Sequence, residues 1–144
     1  MKIRLLVFTV ACALASGPAI IAQDEPETEL SKKMDKMGSA FRGLRRQIAD
    51  SSKNADSLAK IKIMRENAEA SAKLEPAMKA DIPAAKQQKF VDDYRAKMKE
   101  FMGLLDKVEA ALKANQNAEA EKLVGTIADH QKKSHKEFQK KSKK

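Results

Sequence analysis

Two residue types in this chain can meet across a helical core and hold a metal: thioether and imidazole. Both histidines, His130 and His135, fall in the last helical stretch. Met34 and Met37 fall in the first, among apolar residues at helical spacing. If those two stretches lie side by side, a methionine sulfur can face a histidine nitrogen, a suitable arrangement for the iron of a porphyrin. A thioether–imidazole pair also suits Cu(I), though two histidines and scattered methionines make a thin copper site. Met on an apolar stripe is ordinarily core filler. A histidine in a lysine-rich last turn is favourable simply as a cation near a helix C-terminus. The positioning elements therefore decide between these readings.

Composition points to long helices. Of 144 residues only 5 are Gly and 4 Pro, aromatics are 4%, and Trp is absent. The length suits one domain with one core. The first 22 residues read as an export signal. Lys2 and Arg4 precede an apolar run from Leu5 to Ala15, too short to span a bilayer, and Gly17-Pro18 breaks it. Cleavage is expected after Ala22, with Ala15 the alternative, leaving 23–144 as a single domain. The only cysteine, Cys12, lies in this leader, behind a weak lipoprotein-like sequence. The mature chain then has no disulfide, no zinc-thiolate site and no cysteine motif for covalent haem. Loss of Lys2 and Arg4 lowers the formal charge from +9 to +7.

Four amphipathic stretches follow, with helices expected over 26–51, 54–75, 84–114 and 118–141. In the first, Leu30, Met34, Met37, Phe41, Leu44 and Ile48 recur at 4, 3, 4, 3, 4. Arg42, Arg45 and Arg46 lie off that stripe. The second is thinner, with Leu58, Ile61, Met64, Ala68 and Ala72, and Asn54 or Asp56 can cap it. Pro76 ends it, 78–82 reads as a loop, and Pro83 opens the third. There Phe90, Tyr94, Met98, Phe101, Leu105, Val108 and Leu112 form the clearest stripe. Asn115-Gln116-Asn117 is a short turn. In the fourth, with Phe138 as the centre of the apolar face, His135 lies at about +60° and His130 at about −80°. Both border the buried face, with His135 slightly nearer its middle.

Short links between amphipathic helices favour an all-α, antiparallel up-down-up-down four-helix bundle. In that topology Met34, ~12 Å from the start of the first helix, matches His135, ~9 Å from the end of the last. Met37 and His130 form a second matched pair, about a turn deeper.

These residues resemble the cytochrome b562 family. The resemblance rests on Leu30-x3-Met34-x2-Met37-x3-Phe41-x2-Leu44, on Met64-Arg65-x2-Ala68, and on the Pro76/Pro83 loop. Tyr94-x3-Met98 and Ser134-His135-Lys136-Glu137-Phe138 complete it. It implies a periplasmic protein binding haem b non-covalently, with Met34 and His135 as axial ligands of the iron and one-electron transfer as the role. Met37 and His130 are the alternative pair. The chain departs from the prototype at Ser134, where an aromatic is usual, and at Gln131, which replaces a basic residue.

No nucleophile–base pair or Gly-rich phosphate loop appears, so no enzyme activity is expected. The C-terminal lysines suggest steering of an acidic redox partner protein. Export, and the lack of aromatics among those lysines, argue against nucleic acid. No membrane span is expected once the leader is removed, and a monomer is expected. The competing reading is a haem-free periplasmic bundle acting as a protein-binding or chaperone-like module.

Overall fold

The computed structural model describes residues 28–139. Four α-helices follow one another: α1 (Glu29–Gln47), α2 (Asn54–Ser71), α3 (Ala84–Lys113) and α4 (Asn117–Phe138). Short 3-10 turns occupy Ser51–Lys53 and Ala77–Asp81. The helices form an antiparallel four-helix bundle, and no strand occurs among the described residues.

Local signals explain most helix ends. Thr28 caps α1: its Oγ1 accepts from the Ser31 amide at 3.0 Å, while Ser31 Oγ donates to the Thr28 carbonyl at 2.8 Å. Glu29 in the first turn and Arg45 and Arg46 in the last complement the helix dipole. The expected start at 26 lies outside the described residues. The end comes at Gln47 rather than 51 because Asp50 starts a new turn, accepting from the Ser52 amide at 2.9 Å. α2 ends at Ser71, short of the expected 75, because Pro76 disfavours helical geometry in the residue before it. The expected loop at 78–82 is mostly 3-10 turn.

The core has two parts. A central cluster joins Phe41, Leu44 and Ile48 to Ile61 and Met64, and to Leu105, Val108, Leu112, Val124 and Ile127. A second cluster fills the end where α1 begins and α4 finishes. Met37, Ala68, Tyr94 and Met98 are buried there, with Leu30, Met34, Phe101, Met102 and Phe138 packed against them. Tyr94 anchors this end. Its hydroxyl donates to the Ser71 carbonyl at 3.0 Å, and burial pushes its pKa up to about 12.

The opposite end is tied by asparagines. Neither Asn54 nor Asp56 caps α2; the capping position is Lys53, which makes no side-chain cap. The Asn54 amide instead reaches across the bundle to the Leu112 carbonyl at 3.3 Å and to Asn115 Oδ1 at 3.1 Å. The Asn117 amide donates to the Ile48 carbonyl at 2.7 Å and to Asn54 Oδ1 at 2.8 Å. Asn115 adopts φ of +56°, which Asn tolerates well, and this lets a very short turn reverse the chain.

Backbones approach closely between α1 and α2, α2 and α3, and α3 and α4. Gly43 marks the first of these contacts: a Cβ there would meet Lys60 Cε at 2.7 Å. Arg65 ties α2 to α3 through Asp106 and Glu109. α1 and α4 approach each other less closely.

Two substitutions test these ties. Asn117→Ala removes both hydrogen bonds that its amide donates at the closed end and is expected to cost about 1–3 kcal/mol in denaturant unfolding. Tyr94→Phe removes one buried hydrogen bond and is expected to cost about 1 kcal/mol, with the bundle's helical circular dichroism unchanged.

Candidate haem-binding groove

His130 and His135 are five residues apart on α4, so they point about 140° apart. They therefore meet different neighbours. His130 turns toward α3. Its ring stacks on Phe101, centroids 6.3 Å apart and planes 25° from parallel. Its Nε2 lies 3.4 Å from Glu100 Oε2, and its side chain is only 15% exposed. Neither ring nitrogen has a hydrogen-bond partner, nor does Ser134 Oγ one turn on.

His135 turns toward α1. It lines a groove of about 370 Å³ between the first and last helices. The groove face of α1 is Gly38, Phe41, Arg42 and Arg45; that of α4 is Ala128, Gln131, Lys132 and His135. Both sets follow i, i+3, i+4, i+7, the spacing of one helix face. The groove exists because α1 and α4 stay apart while the other adjacent pairs close. Gly38 keeps its α1 wall low: a Cβ there would touch only Arg42, at 3.5 Å. Burial lowers the His135 pKa below the ordinary histidine value. That direction favours the uncharged ring, the form that ligates a metal.

This corrects the helical-wheel expectation for the two histidines. His135 is the exposed one and His130 the enclosed one. A wheel treats both edges of the buried face alike, but α3 packs closely on one edge of α4 and α1 stands off the other.

Met37 is 7% exposed, inside the end cluster. Met34 is partly buried against the same cluster. Neither methionine borders the groove as it stands. Met34 nonetheless shares its cluster with Phe138, which follows His135 by three residues, so the two lie at one level of the bundle. Met34 also sits one helical turn before Gly38 on the α1 wall. The alternative pair lies deeper: Met37 is in the end cluster, and His130 sits over Phe101, which packs against both clusters. Among the described residues, no three His, Cys, Asp or Glu side chains converge on a metal position.

The groove's volume is within the usual range for small-molecule sites, roughly 300–1,000 Å³. Phe41 offers an aromatic wall and His135 an imidazole nitrogen. Arg42, Arg45 and Lys132 make the rim cationic. The first two read in sequence as solvent-facing residues off the apolar stripe. What marks them as groove residues is their shared spacing with Gly38 and Phe41, and that signal is visible only once the partner helix is known.

No curated protein and no solved structure matches the chain. The profile of the family described as Cytochrome b562 matches residues 29–139, from the first residue of α1 to just past the last of α4. The chain belongs to the cytochrome b562 family.

Proposed function

We propose that this protein is a periplasmic one-electron carrier, with haem b seated in the α1–α4 groove and Met34 and His135 as its axial ligands. The observation that carries this reading is the gap between α1 and α4, lined by His135. A haem iron held there would supply the one-electron couple. His135 offers its nitrogen from α4. Met34, packed against the neighbouring end cluster on α1, would supply the sulfur. Thioether ligation favours the reduced iron and raises the potential. With both axial positions taken by side chains, the protein carries electrons rather than activating a substrate. Phe41 and the end cluster would exclude water from the buried edge. No helix among the described residues is long and apolar enough to cross a membrane. The expected leader, which supports export, lies outside the described residues.

Absorption spectra of the mature protein titrated with haemin test this. The expected result is a saturable one-to-one complex with a Soret band and, after dithionite, sharp α and β bands of low-spin iron. Met34→Ala should retain haem but convert it to high spin. His135→Ala should weaken haem binding at least about tenfold, near 1.4 kcal/mol. Unchanged spectra in both variants would move the ligands to Met37 and His130. A mature protein that stays colourless at micromolar haemin would favour the haem-free binding module.

A further inference from the structure

We infer that the cationic rim of the α1–α4 groove, formed by Arg42, Arg45 and Lys132, is the docking surface for an acidic protein. That this protein is the electron donor or acceptor rests on the proposed function.

Charge is unevenly spread over the four helices. α1 carries six Lys and Arg against two Asp and Glu and α3 seven against five, whereas α2 is balanced at three against three and α4 at four against four. Several cations of α2 and α3 are held in ion pairs, although among the described residues Lys99 and Lys107 of α3 are not. On the far side of the bundle Lys60 meets Asp56, Arg65 meets Asp106 and Glu109, and Lys113 meets Glu109. Among the described residues, Arg42, Arg45 and Lys132 make no such pair, and all three are exposed. No carboxylate lines the groove. Of the acids on these helices, Asp35 and Asp129 lie about 70° and 110° around from the groove faces, and Glu121 lies about 30° around but about 10 Å along α4 from Ala128.

Three unpaired cations around one concavity add their fields, and low-dielectric walls focus them. Arg45 is also held in place, its guanidinium 5.9 Å from the centre of the Phe41 ring. A cation already positioned loses less freedom when it meets a carboxylate. The patch surrounds the groove by which an electron would enter or leave. An acidic surface docked there would approach the redox centre by a short path, and one docked on α2–α3 would not.

The test uses the mature protein, ¹⁵N-labelled, with and without haemin, titrated with a short poly-glutamate peptide at low salt. Two charge-matched triple variants are compared: R42Q/R45Q/K132Q at the groove, and K62Q/K99Q/K107Q on the other helices. The expected result is perturbation of α1 and α4 amides around the groove. The groove triple should bind the peptide about tenfold more weakly and the control triple less than about twofold, with both effects vanishing as salt screens the charges. Equal losses in both triples, or shifts centred on α2 and α3, would overturn the inference. So would a groove triple that loses haemin affinity but keeps peptide binding, which would assign these cations to the porphyrin's own carboxylates. Peptide binding left unchanged alongside lost binding to phosphatidylglycerol vesicles would overturn it in favour of a membrane surface. The peptide arm needs no haem, so a colourless protein would defeat the electron-carrier reading and still decide this one.

Discussion

The arrangement depends on holding α1 and α4 at one end of the bundle without letting them close. These helices are the first and last of the fold, and their position relative to each other is imposed by others. α2 packs on α1, α3 on α2 and α4 on α3, each at close range. At the far end the Asn117 amide bonds the Ile48 carbonyl at 2.7 Å and Asn54 at 2.8 Å, tying the start of α4 to the finish of α1. A bundle tied at one end can leave a cleft at the other without losing register. The central cluster between the two, with Leu44, Leu105 and Val108 fully buried, carries the stability that the cleft does not contribute.

The end cluster works under a conflicting demand. It must be apolar enough to hold four helix ends together, yet adaptable enough to accept a planar guest beside it. Methionine answers both needs, since its unbranched side chain repacks with little strain. Met34, Met37, Met98 and Met102 all belong to this region, whereas the central cluster holds one methionine, Met64, among mainly Leu, Ile and Val, which have fewer ways to pack. Tyr94 adds rigidity, because its bond to the Ser71 carbonyl fixes α3 against the end of α2.

The bundle was legible in the apolar stripes, because a strict 3.6-residue period leaves few alternatives to a helix with one buried face. Leu44, Met64, Leu105 and Ile127 all lie where those stripes place them. Ser57 and Ser71 were not legible: both are fully buried, and composition gives no reason to bury a serine. Ser57 is tolerated because its hydroxyl accepts from the Gln47 amide at 3.0 Å, a contact between helices that no local pattern encodes. Ser71 offers its backbone carbonyl to the Tyr94 hydroxyl, while its own hydroxyl has no hydrogen-bond partner among the described residues. The site was half legible. Periodicity put both histidines at the edge of a face, but which edge stays open depends on the distance between α1 and α4, which is a tertiary quantity. The three cations failed to register for the same reason.

Opening the groove on the cationic side of the molecule has a consequence for His135. An imidazole surrounded by solvent would be partly protonated at slightly acid pH, and a protonated ring cannot ligate. Burial against the groove wall already lowers its pKa. An acidic protein covering the groove would exclude more water and strengthen that desolvation, while its carboxylates would favour the protonated ring. The two changes act in opposite directions, so docking need not displace the ligand from the state that holds a metal.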